Sequence, residues 1–355
     1  MASVPDPEAH VVVVTGASSA LGRRVCVLAA ADPAVTRVVA IDRRPAGQVP
    51  AGAEVHQVDI ATADLKPLFE GASVLVHLAQ TTGPEPHVEA AGPGDGELAH
   101  RVLDAASAVG ISHVVLRSSA VVYGAWANNA VPLTEDAALR PNPGVALASE
   151  KAELERAGAE WRDAHPGTTV AILRPTVTVT TEGNGWLAEA LARSSSLPVT
   201  DEEPPAQFVD VADLAAAVDL ARRARLDGPR NVAPDGWMDG ETVRALAGGA
   251  PRLRLPERLA VRLAGMRWRW GLAPIPPALL PFTVHPWVVA NDRLRADGWE
   301  PQSSNEEAYV GAHRAGPWAT LSPTRRQELT LGAAAVALVV GAAGAAALVR
   351  RRRRR

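Results

Sequence analysis

Residues Val11–Gly22 read VVVVTGASSALG, and this stretch decides the fold. Four consecutive valines have the composition of a strand buried on both faces of a parallel sheet. Thr15, Gly16 and Gly22 then turn the chain tightly into a helix beginning near Leu21. A strand that ends in small residues and opens a helix is the phosphate-binding corner of a dinucleotide fold. The helix N-terminus offers free N–H groups and a positive dipole end to a pyrophosphate. Small residues let the backbone approach that closely. Ser19 stands where the common pattern has its middle glycine. Two-glycine turns of this kind also occur in α/β proteins that bind no dinucleotide, so the rest of the chain has to discriminate.

The surrounding sequence alternates strands and helices. Apolar runs at Val38–Ile41, Val74–Leu78, Val114–Leu116 and Thr169–Leu173 are short and β-branched. Helical stretches at Leu21–Ala31, Glu97–Val109 and Ser149–Ala164 separate them. This pattern predicts right-handed βαβ units and a Rossmann-type, doubly wound parallel sheet of the α/β class. Asp42 ends the second strand, where an acid accepts hydrogen bonds from the adenosine ribose. Asp59 ends a third strand, Val55–Val58, within reach of the adenine edge. Arg43 and Arg44 either meet a 2′-phosphate or adenine, or are solvated. Asp42 therefore favours NAD, and the arginines leave NADP open. Ser18 and Ser19 either donate to a phosphate or cap the helix, and the two roles are compatible.

Composition sets bounds. The chain has 355 residues, enough for one large α/β domain or two modest ones. A net charge of −3 makes no case for nucleic acid. The one cysteine, Cys26, excludes an intramolecular disulfide and suits a reducing compartment. No metal-ligating set stands out. The start, MASVPDPEAH, does not read as a signal peptide.

The second half is looser. Ser195–Pro205 reads as a polar loop, and Phe208–Ala224 as a strand end running into a helix. Pro251–Pro286 carries six arginines against one acid, Glu257. Leu259, Leu263, Met266 and Trp270 fall on one helical face within it. A basic helix of this kind either lies on an anionic membrane surface or packs on its own domain. Leu331–Val349 is uncharged and spans roughly 28 Å as a helix, close to a bilayer core. It reads as a C-terminal transmembrane helix or as a buried or disordered Ala-rich tail. Arg350–Arg355 follow it. Those arginines favour a cytoplasmic C-terminus, whereas the missing export signal favours a cytoplasmic domain. The expectation is a protein on the cytoplasmic face of the membrane, with orientation open between a span and a helix lying on anionic lipid.

These blocks together resemble the extended short-chain dehydrogenase/reductase superfamily, the epimerase/dehydratase group, from about Val11 to Val310. TGASSALG resembles the TGxxGxxG loop. Val76–Ala79 (VHLA) resembles the block after the fourth strand, and Val114–Gly124 (VVLRSSAVVYG) the SSxxxYG block. Leu173–Pro175 (LRP), Phe208–Ala217 (FVDVADLAAA) and Asn291–Pro301 (NDRLRADGWEP) match three more in order. The resemblance implies cofactor contacts at Gly16, Ser18, Ser19, Leu21, Gly22, Asp42, Arg43, Asp59, Ile60, Leu78, Ala79, Lys151 and Pro175. It implies a Rossmann domain over 10–175 and a smaller, mainly substrate-binding part over 176–310. A linker at 311–330, the hydrophobic segment 331–349 and the tail 350–355 complete the layout. A homodimer through helices of the cofactor domain is implied as well.

The family's chemistry uses a serine, a tyrosine and a lysine. The lysine contacts the nicotinamide ribose and lowers the tyrosine pKa, and the tyrosine is the general acid or base. The serine falls on Ser119 and the lysine on Lys151. The tyrosine position, four before the lysine, is Leu147. Leucine moves no proton, and neither Tyr123 nor Tyr309 stands four before a lysine. His77 reads as structural. The resemblance therefore implies oxidoreductase, epimerase or dehydratase chemistry on a sugar-like or other hydroxylated substrate. Leu147 opens the alternative of a non-catalytic dinucleotide-binding sensor or scaffold.

Overall fold

A computed structural model describes residues 10–45, 52–80, 92–182, 187–189, 191, 204–246, 257–270, 277–313 and 325. The N-terminal valines form β1 (His10–Thr15), followed by α1 (Ala20–Ala31) and β2 (Val35–Asp42). Then come β3 (Glu54–Gln57), a short helix α2 (Lys66–Phe69), β4 (Val74–His77), α3 (Asp95–Val109) and β5 (His113–Arg117). After a 3₁₀ turn at Ala120–Tyr123 the chain builds α4 (Ala146–Ala164), β6 (Thr169–Pro175) and β7 (Val177–Val179). β8 (Phe208–Asp210) runs directly into α5 (Val211–Arg223), and β9 (Gly228–Val232) returns to the sheet.

The main sheet has seven parallel strands in the order β3-β2-β1-β4-β5-β6-β9. The order reverses between β1 and β4, so crossovers leave that pair in opposite directions and open a crevice at its carboxyl end. Side chains alternate across the sheet. Val12 and Val14 join one core with Val25 of α1 and Leu214 and Val218 of α5. Val13 joins the other, with Leu103 of α3 and Leu154 of α4. A third core gathers Val121, Tyr123, Leu133, Val177, Phe208, Met238, Phe282 and Trp287, and includes the two-stranded β7-β8 pair. This core draws on both halves of the chain.

The remaining helices are α6 (Gly240–Leu246), α7 (Glu257–Arg269), α8 (Asp292–Ala296) and α9 (Asn305–Ala312). A 3₁₀ turn at Pro277–Thr283 packs against α7. The basic stretch is thus helical, but Leu259, Met266 and Trp270 of its apolar face stay exposed. The helix does pack on its own domain, through the side that carries Gly265 and meets Pro277, and leaves these three residues outside that contact. Among the described residues, no helix is long and apolar enough to cross a membrane. The expected hydrophobic helix at 331–349 and the arginines at 350–355 lie outside the described residues.

Candidate functional site

The phosphate corner is built by backbone geometry. Gly16 has φ +77°, and a Cβ there would come within 2.6 Å of the Ala79 nitrogen. A Cβ on Gly22 would lie 2.2 Å from the Gly16 carbonyl. Both positions therefore demand glycine, and Gly16 brings the ends of β1 and β4 together at the switch point. Ser19 is the N-cap of α1. Its Oγ accepts from Gly22 N at 2.9 Å and donates to the Gly16 carbonyl at 2.8 Å. The first intrahelical donor is Arg23 N, to the Ser19 carbonyl. The N–H groups of Ala20 and Leu21 precede it, at the positive end of the helix. The Leu21 side chain itself is buried in the core.

Asp42 closes β2 beside this corner. It is 9% exposed, and its two carboxylate oxygens accept the backbone N–H groups of Ser18 at 3.0 Å and Arg44 at 2.9 Å. A carboxylate has further lone pairs for ribose hydroxyls. Ser18 Oγ donates to the Arg44 carbonyl, so the loop after β2 is tied to the loop after β1. Arg43 is exposed. Arg23 donates to the Ser18 carbonyl, and Arg23 and Arg24 both pair with Glu182. Asp59 is exposed and caps Ala61 N at 2.9 Å, while Ile60 is buried and its carbonyl accepts from Arg101. Leu78 and Pro175 are buried at the ends of β4 and β6, and Ala79 is half-buried.

Lys151 is the surprise of the site. It is 1% exposed, with Nζ 2.9 Å from Asp95 Oδ2 and donating to the Arg117 carbonyl at 3.1 Å. Burial pulls its ammonium below the ordinary lysine value, while the Asp95 carboxylate pushes the other way. Arg117 is half-buried, and desolvation of its guanidinium lowers it to about 10, with Asp95 again opposing. His77 lies in the same charged pocket. Its Nδ1 meets Thr15 Oγ1 at 2.7 Å, its Nε2 has no hydrogen-bond partner among the described residues, and burial holds its pKa near 4. It is therefore neutral at pH 7.

Ser119 caps the 3₁₀ turn, its Oγ accepting from Val121 N at 3.4 Å. Its neighbour Ser118 donates to Glu155 at 2.5 Å. Glu155 holds Arg174 in a bidentate pair, and Arg174 donates to the Tyr123 hydroxyl at 2.7 Å. Tyr123 in turn donates to Asn231 at 2.8 Å. Burial pushes its phenol up to about 12 despite Arg174, and its hydroxyl ties the 3₁₀ turn after β5 to Arg174 of β6 and Asn231 of β9. Leu147 is half-buried against the third core, one helical turn before Lys151 on α4.

The carboxyl edge thus brings together Gly16, Ser18, Asp42, Leu78, Ala79, Ser119 and Pro175. Asp95, Arg117 and Glu155 were not singled out from sequence. Asp95 begins α3, where an acid reads as a complement to the helix dipole, so nothing local marks it as the partner of Lys151. Among the described residues no group of acids, histidines or cysteines is arranged to hold a metal.

A seven-stranded parallel sheet with a glycine corner at its switch point defines a Rossmann-type dinucleotide fold. A family model described as the NAD dependent epimerase/dehydratase family matches residues 12–233, and the chain belongs to that family. The family's cofactor, NAD, is the one Asp42 favours. Solved structures share the fold at low identity. MoeE5 in complex with UDP-glucuronic acid and NAD aligns with a TM-score of 0.63 and 18% identity, over 85% of this chain and 97% of that one. The Thermus thermophilus UDP-glucose 4-epimerase complex with NAD gives 0.62 and 20%, over 85% and 97%. Bordetella bronchiseptica WbmG in complex with NAD and UDP gives 0.59 and 19%, over 84% and 91%. Among curated proteins, no sequence match is found.

Proposed function

We propose that this chain holds NAD at the carboxyl edge of its sheet and binds a sugar-like, hydroxylated ligand beside it without the family's tyrosine-dependent turnover. Leu147 carries the reading. NAD, when bound, supplies a hydride acceptor. The N–H groups of Ala20 and Leu21 receive its pyrophosphate, and Asp42 receives its ribose hydroxyls. The site fits such a group because both corner glycines are sterically required and Asp42 keeps acceptor capacity. Ser119 offers a hydroxyl to a ligand oxygen. No side chain four residues before Lys151 takes a proton, and Lys151 already answers to Asp95. The chain acts as a dinucleotide-dependent sensor or scaffold. Its neighbours' UDP-sugar ligands suggest a nucleotide sugar as the second ligand. The uncharged segment 331–349 and the arginines after it hold the protein on the cytoplasmic face of the membrane.

Titration of the purified chain with NADH and NADPH, followed by nucleotide fluorescence, tests this. Binding of NADH is expected, with no interconversion of UDP-glucose or UDP-glucuronic acid. Absence of binding by either nucleotide overturns the reading, and so does turnover by the unmodified chain. Leu147→Tyr then asks whether the rest of the site is intact, through gain of turnover on the same substrates.

A further inference from the structure

Helix α7 has two apolar sides and uses only one of them. Gly265 faces the Pro277–Thr283 turn, where an added Cβ would lie 4.0 Å from Pro277 Cγ. Trp268, about 60° further round the helix, is half-buried. Across the helix, Leu259, Met266 and Trp270 are 51%, 43% and 68% exposed, with half-buried Leu263 between them. At helical spacing these four fall within roughly 60° of arc. Trp270 extends the helix, its N–H donating to the Met266 carbonyl. Arg262 and Arg269 are exposed along one edge of the stripe.

This arrangement selects its occupant. A protein partner would have to supply both an apolar groove to the stripe and acids to the arginines at its border. A bilayer surface offers acyl chains to the stripe and phosphate to the arginines in one layer. Each arginine held near an anionic surface adds to the attraction. The helix adds Arg258 and Arg267 against the single acid Glu257. The chain repeats the same chemistry further on, where the uncharged run 331–349 is followed by six arginines.

We propose that α7 lies in the plane of an anionic lipid surface, with Leu259, Leu263, Met266 and Trp270 entering the acyl boundary and Arg262 and Arg269 on the headgroups. This deepens the membrane part of the proposed function and does not depend on 331–349 crossing the bilayer.

The full chain serves for the test. Cys26 is buried, with its thiol pushed up to about 12, so it does not react at neutral pH. Met266→Cys therefore carries an environment-sensitive fluorophore selectively. Vesicles of phosphatidylcholine with phosphatidylglycerol should shift the emission to the blue, and raising the salt should weaken the response. Arg262→Glu with Arg269→Glu should lower the apparent vesicle affinity of α7 at least tenfold. Pure phosphatidylcholine should give little response. A label that stays water-exposed while the protein sediments with vesicles overturns the proposal and leaves the 331–349 anchor standing. Label shielding without vesicles that grows with protein concentration also overturns it, in favour of a second copy of the chain. Failure to sediment with any vesicle overturns both membrane readings and leaves NAD binding untouched.

Discussion

Lys151 holds the place that the family pattern gives its lysine, and in this chain it is paired with a buried carboxylate. Its side chain is sealed off with Asp95, and both are essentially unexposed. Two opposite charges at this depth are tolerated only together, since removing one leaves the other uncompensated. Asp95→Asn and Lys151→Met should each cost about 3–5 kcal/mol, read as a shift in urea midpoint. The double variant Asp95→Asn/Lys151→Met should lose less than the sum of the two single variants, giving a favourable coupling in a double-mutant cycle, while Arg117, left without its carboxylate, keeps the recovery partial. Additive losses would show that the pair does not act as a unit. Leu147 completes the picture at this scale. A lysine paired with a carboxylate has less charge to lend a neighbouring phenol, so a hydroxyl introduced by Leu147→Tyr should keep a higher pKa than it would beside an unpaired lysine.

At the scale of elements, the phosphate corner rests on steric demands that mutations can read directly. Gly22→Ala drives a methyl into the Gly16 carbonyl, a 2.2 Å approach with no flexible side chain to yield. It should cost about 1–3 kcal/mol by overpacking and abolish NADH binding in the same titration. Ser19→Gly should behave oppositely. It removes a cap that glycine nearly replaces, at a cost of a few tenths of a kcal/mol, and frees Gly22 N for the ligand. NADH should then bind more tightly, and unchanged or weaker binding would mean that Ser19 itself contacts the phosphate. Much of this architecture was legible in sequence. Strands β1, β2, β4, β5 and β6 are buried on both sides, so each appears as a β-branched run. β9 was invisible because GPRNV has no such run. It lies at the sheet edge, where Pro229 is tolerated. The β7-β8 pair is only three residues long per strand, too short to show a period. The Asp95–Lys151 pair joins two helices far apart in sequence, and no local pattern encodes such a meeting.

At the scale of the whole molecule, the parallel sheet buries titratable groups in its interior, and these set how the fold responds to acid. His77 sits in β4 against Thr15, Lys151 and Asp95, and His113 in β5 against Thr169, the Ala221 carbonyl, Arg225 and Asp227. Burial is the main cause holding both near pH 4, below the ordinary value of 6.5. The unfolded chain therefore takes up protons that the folded chain refuses. Stability from these histidines is full above about pH 6.5 and declines as pH falls toward 4. By pH 5 the loss should be about 2 kcal/mol for each residue. Denaturant midpoints between pH 7.5 and 5 should fall accordingly. His113→Gln keeps hydrogen-bonding capacity without the titration, so it should remove about half of the drop. A midpoint that stays level across this range would mean that the interior admits water or counter-charge to both imidazoles, against the seal around Lys151.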